Sequence, residues 1–126
     1  MWSSIIAQFS TQIIGAVFYN PSVLGTTYYK ALKLKPREIT IVEWILVTIT
    51  AWLEVAAVQY ILTITNPQSL KEALENTLYA FVVFVVSTQA VHFPFDQRPY
   101  KVLAIYVFHH FLLFFTNTII LFSLQY

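Results

Sequence analysis

Cysteine is absent from this 126-residue chain, which removes disulfides, thiolate metal sites and cysteine nucleophiles together. Charge is scarce. Asp, Glu, Lys and Arg make up 10% of the residues, against about 25% in an ordinary soluble domain. The formal net charge is +1, so the basic footprint of a nucleic-acid binder is missing. Glycine occurs only at Gly15 and Gly25; there is no phosphate loop, no G-x-S-x-G elbow and no H-E-x-x-H. Asn20-Pro21-Ser22 has the spacing of a glycosylation acceptor, but the proline blocks it. No basic residue precedes Lys30. Secretory signals begin basic and transit peptides are arginine-rich, so an uncleaved first helix is expected.

What the chain does have is apolar surface. Hydrophobic residues reach 58% and aromatics 17%, more than one small domain can hide from water. The hydrophobicity is distributed in four runs, each near the ~20 residues that cross a bilayer. The first is Trp2 to Tyr19, stopped by Asn20-Pro21. The second starts at Pro36, a good first helical residue, and reaches Thr65 before Asn66-Pro67. The third follows Ser69 and Glu72, which have capping-box spacing, and should stop at Pro94. The fourth runs from Pro99 to Leu124. The fold class is therefore all-α: an integral membrane bundle of four transmembrane helices near 2–19, 37–65, 69–93 and 99–124. Residues 1–126 form one domain, without repeat or linker.

Lysine and arginine set the expected orientation. Lys30, Lys33, Lys35 and Arg37 follow the first run, Arg98 and Lys101 follow the third, and Lys71 stands alone on the other side. Basic loops stay on the cytoplasmic or matrix side, which places loops 20–36 and 94–101 there and both termini opposite. Tyr28 and Tyr29 beside the lysines suit the headgroup level.

The segment Gly15-Ala16-Val17-Phe18-Tyr19-Asn20-Pro21-Ser22-Val23-Leu24-Gly25 resembles a motif of the domain-of-unknown-function 1761 family. Members are small four-span membrane proteins whose first helix ends in Gly-x-x-aromatic-Tyr-x-Pro, followed by a glycine. Gly15, Tyr19, Pro21 and Gly25 carry the likeness, along with Arg98-Pro99 before a last helix bearing a histidine, here His109 or His110. Phe18 stands where the family often has tryptophan. The family has no established activity, so the resemblance implies a fold and leaves function open.

Polar residues inside the apolar runs are the candidate functional positions. Glu54 lies in the middle of the second run, where an ionised carboxylate costs about 2.5–3.5 kcal/mol on insertion scales. It needs a partner or a proton, and is expected to face protein towards the fourth helix, at the depth of Asn117. Glu43 and Thr50 fall near the same helical face. That stripe can line a proton or cation path, or simply join helices. Glu43 and His92 should share a depth near the basic boundary, within contact if their helices are neighbours. Tyr106, His110 and Asn117 form a second stripe, and His109 is turned away by about 100°. Adjacent histidines cannot easily share one ion, and no Glu-x-x-His pair is present, so no metal, haem or other cofactor is expected. Ser4, Gln8, Gln12, Gly15 and Tyr19 line one face of the first helix, as packing contacts do.

Two functions stay open. The first is a non-catalytic accessory subunit of a multisubunit membrane complex, an energy-transducing one such as a respiratory complex of the mitochondrial inner membrane, with a bacterial plasma membrane as the other setting. The second is a small oligomeric proton or ion conduit using Glu54 and the Tyr106/His110/Asn117 face. The partners expected are membrane lipids and other membrane subunits. Neither nucleic acid nor a soluble substrate is expected, and the short loops leave no room for an enzyme site.

Overall fold

Local sequence sets where each helix begins and ends. The computed structural model describes residues 2–35 and 40–125, and these are helical with no strand among them. Helix α1 spans Trp2–Phe18. Asn20 then stands in an extended conformation, and its side-chain oxygen accepts from the Ser22 amide at 2.9 Å and the Ser22 hydroxyl at 2.6 Å. A π-helical turn, Pro21–Gly25, leads into α2, Thr26–Ala31. The segment expected as a plain loop is thus a short helical hook. Thr26 ties it off by donating to the Pro21 carbonyl at 2.9 Å.

Helix α3 is Ile41–Thr65. The expected start at Pro36 lies outside the described residues, as does Arg37, and the helix proper is capped later, by Thr40. The Glu43 amide donates to Thr40 Oγ1 at 3.3 Å, while Glu43 Oε2 accepts from the Thr40 amide at 2.9 Å. This is a reciprocal capping box. Helix α4, Leu70–Ala80, opens on the anticipated Ser69 cap, where the Glu72 amide donates at 3.2 Å. A π-helical segment, Phe81–Val86, joins it to α5, Ser87–Phe95. The helix carries Pro94 inside its last turn instead of stopping there. The cost is one ladder hydrogen bond, at the Ala90 carbonyl, close to the exposed end of the helix. Helix α6 is Tyr100–Gln125.

With only two glycines, left-handed positions fall on other residues. Lys33, Asn66 and Gln97 take φ of 56°, 43° and 53° after α2, α3 and α5. Asparagine tolerates this best.

Helices α3 and α6 form the centre, with α1 packed against both on one side and α4 against both on the other. The apolar core gathers Ala7, Val55, Val58, Leu62, Ala73, Phe81, Phe114 and Leu121. Phe18 meets Phe108 while Ser3 meets Gln125, so α1 and α6 are antiparallel. Lys30, Lys33, Lys35, Arg98 and Lys101 are exposed and share the end where α2 packs on α6. Lys71 sits at the other end in an exposed pair with Glu75.

Three helical rods, Ile41–Thr65, Leu70–Phe95 and Tyr100–Gln125, are long and apolar enough to cross a membrane. Helix α1, at 17 residues, is about 26 Å long. The structure thus bears out an all-α fold with three such helices among the described residues.

Candidate acid–base site

The π-helical segment decides the geometry here. Phe81-Val82-Val83-Phe84-Val85-Val86 is a crowded run of aromatic and β-branched residues, which loosens the α-helical register. Ser87 and Thr88 then bond back to the Val83 and Phe84 carbonyls, the second at 2.6 Å. Beyond this segment the interface changes. Helix α3 packs on α4, but that packing does not continue along α5. A side groove of about 320 Å³ opens between α3, the π segment with α5, and α6.

Glu54 and His110 form one wall of this groove. Glu54 Oε1 lies 2.5 Å from His110 Nδ1, with both side chains less than one-fifth exposed. The approach is close but not linear, since His110 Nδ1 has no aligned hydrogen bond. It joins two side chains that can each take up or release a proton. Tyr106, one turn before His110, packs against it at a tilt of 47°, with ring centroids 4.2 Å apart. Among the described residues Glu54 Oε2 is buried and has no hydrogen-bond partner.

Behind the pair, a run of rings leads towards the basic end. His110 neighbours His109 at 5.2 Å, His109 neighbours Tyr19 at 4.9 Å, and Tyr19 neighbours Tyr28 at 5.1 Å. His109 is buried against Phe18 as well, at 5.0 Å. Both of its ring nitrogens lack partners among the described residues. The other direction is polar too. Thr11 and Asn117, both buried, exchange hydrogen bonds of 3.2 and 3.1 Å. Ser4 donates to Gln59 at 2.9 Å, and Gln125 to Ser3 at 2.8 Å. A polar seam thus follows α1 along most of its length.

The structure brings some of the expected residues together and separates others. Glu54 meets His110 and lines the groove together with Tyr106, whereas Asn117, further along the same stripe of α6, pairs with Thr11 on α1. Glu43 caps its own helix, and Thr50 donates to the Leu46 and Val47 carbonyls on an exposed face. No Glu43–Thr50–Glu54 track forms. His92 is exposed on α5, the helix that α3 leaves, so its expected neighbourhood with Glu43 has no packed interface behind it. Arg98 pairs with Asp96 at 3.4 Å. Among the described residues no three His, Asp or Glu side chains converge as a metal site would require.

Two of the motif residues border His109. Gly15 faces it, such that an added Cβ would lie 3.8 Å from Nε2, and Tyr19 meets it edge-on. Pro21 opens the π turn and Gly25 closes it against the Tyr19 carbonyl. Thr11 was legible in principle, since it continues the 4, 8, 15 spacing as well as Gln12 does. Thr88 and Gln89, which also line the groove, carry no such signal, because a π-helical segment shifts the register ahead of them.

No curated protein and no solved structure matches the chain. A family described as "Protein of unknown function (DUF1761)" matches residues 2–122, and the chain belongs to that family.

Proposed function

We propose that this DUF1761-family chain is a four-span, single-domain integral membrane protein that relays protons through the Glu54–His110 pair. The observation that carries this reading is the pair itself, a carboxylate against an imidazole halfway along helices that are apolar on nearly every side. Intramembrane ionisable pairs of this kind mark ion and proton paths. Towards the basic end Tyr28, Tyr19 and His109 place polar ring atoms beside the pair; with both His109 nitrogens unbonded among the described residues, water must complete the path on that side. The hydroxyl and amide seam of α1 supplies polar partners towards the other. Helix α1, just long enough at 17 residues, acts as the fourth span.

In this reading the basic loops face the cytoplasm or matrix and both termini face away. The chain is free of cysteine, so cysteines introduced singly at Lys33 and Gln68 report sidedness directly. Opposite accessibility is expected, and equal labelling from one side refutes the topology. For conduction, the purified chain is placed in liposomes holding a pH-sensitive dye, under a potassium diffusion potential. Proton flux well above that of empty liposomes is expected, with a tenfold or greater loss in Glu54→Gln at unchanged assembly. Flux no higher than empty liposomes ends the proposal.

One observation favours a second reading, a non-catalytic accessory subunit of an energy-transducing complex in the mitochondrial inner or bacterial plasma membrane. From Ile41 to Thr50 every α3 residue except half-buried Glu43 is exposed, leaving most of that stretch uncovered apart from Gln8, which donates to the Thr48 carbonyl. Partner helices suit such a surface, and lipid does too. Native gels of membranes with and without the gene decide: a complex that loses mass on deletion supports the subunit, while complexes of unchanged size and a protein that migrates alone in the wild type reject it.

A further inference from the structure

We infer that the side groove is a binding site for a membrane-dissolved phenol or quinol, a hydroxylated aromatic ring on an apolar tail. The inference uses the pair assigned above but not its role in conduction.

Three features point to this occupant. The first is the entrance. Leu53, Ala57, Phe84 and Thr88 on the groove rim are exposed on the side of the bundle, so in a bilayer the groove opens towards the acyl chains. The second is size. At about 320 Å³ it has roughly twice the volume of the 150 Å³ apolar cavity that takes benzene, which suits a ring with the first carbons of a tail. The third is the distribution of polarity. Phe84, Val85 and Phe114 give apolar and aromatic walls, and Glu54 gives a single strong acceptor. Binding sites for small molecules combine such walls with a few placed polar groups.

The polar part of the lining argues against an ordinary acyl chain. Glu54, Thr88, Gln89, Tyr106 and His110 all border the groove, and a hydrocarbon occupant leaves their hydrogen-bonding groups unmatched in a dry site, whereas a ring hydroxyl can pair with them. Gln89 stands on the facing wall, with an amide able to donate or accept at a second ring oxygen. The π-helical segment is what makes the space, since a continued α3–α5 interface would close it.

The test uses the full chain in phosphatidylcholine nanodiscs and tritiated 4-decylphenol, with empty nanodiscs as the background. Saturable binding is expected, and unlabelled decylbenzene, which keeps the tail and ring but lacks the hydroxyl, should compete at least tenfold more weakly than unlabelled 4-decylphenol. Ala57→Phe fills the groove from α3 without entering the core, and should weaken binding tenfold or more. Thr88→Trp does the same from α5 if the first variant does not fold. Decylbenzoquinol should compete. Displacement by cholesterol but not by decylbenzoquinol overturns the aromatic class. Equal competition by decylbenzene, or binding no greater than to empty nanodiscs, overturns the site. Because the wild-type competition stands alone, the result does not depend on any variant folding. Proton flux without binding rejects this inference and leaves the relay; binding without flux does the reverse.

Discussion

The two glycines of the family motif should answer alanine substitution with opposite signs. At Gly25 a Cβ would come within 2.1 Å of the Tyr19 carbonyl oxygen, 2.8 Å of its carbon and 2.9 Å of the Asn20 carbonyl carbon. All three are backbone atoms of the same tight hook, so no side chain can swing aside. Against an ordinary contact of 3.4 Å or more, the hook must open by about 1.3 Å, an overpacking of the sort that costs about 1–3 kcal/mol. Gly25 itself has right-handed helical angles, so the cause is space and not backbone freedom. At Gly15 the added Cβ would rest 3.8 Å from His109 Nε2, an ordinary contact, and a helix interior gains up to about 1 kcal/mol from glycine to alanine. Thermal midpoints in mild detergent, read by light scattering or by the surviving size-exclusion peak, compare the two. Gly25→Ala should fall on the order of 5 °C or more, while Gly15→Ala should hold or rise. A Gly25→Ala midpoint within about 1 °C of the native chain, or greater harm from Gly15→Ala, refutes the reasoning.

The same measurement serves three further changes. Gln97→Gly removes a side chain from a left-handed position with φ of 53° and should stabilise by up to about 1 kcal/mol. Thr40→Ala deletes the α3 cap and should cost about 1 kcal/mol, seen also as faster amide exchange at Glu43. Asn117→Leu and Thr11→Val each strand a buried partner and should cost about 1–3 kcal/mol singly. The double variant should cost clearly less than the two together, and strict additivity shows that the Thr11–Asn117 pair is not coupled.

Sequence made the helices legible because turn chemistry is local. Asn20-Pro21, Asn66-Pro67 and Ser69 with Glu72 each act within four residues, and each marks a boundary in the structure to within a residue or two. Where the reading slipped, two local signals competed. Pro36 and Thr40 can both open a helix, and the structure caps α3 at Thr40, which moves Glu43 from a supposed path into the first turn. Pro94 looked like a stop but sits where one lost hydrogen bond is tolerated. The candidate site was half legible. Glu54 and His110 stood out because an ionisable side chain in an apolar helix is conspicuous in any register. Asn117 was legible as an interhelical polar residue, but its partner Thr11 was not, because depth along a helix does not fix its rotation against two others. The groove was invisible, since it depends on α3 and α5 parting after a π-helical segment that no residue pattern announces.

The docking of α1 on α6 has a consequence for biogenesis. Thr11 and Asn117 are separated by 106 positions, and at about 5–20 residues per second of synthesis the helix made early waits roughly 5–20 seconds for its partner. During that interval Gln8, Thr11 and Gln12 have nothing in α6 to meet. The nascent chain therefore passes through a stage in which the polar face of its first helix lacks its α6 partners, a window in which an insertion factor or chaperone has an amide-bearing surface to hold. Closure comes last, when the emerging α6 brings Asn117 and then Gln125 to Thr11 and Ser3, and the order of translation becomes the order of assembly.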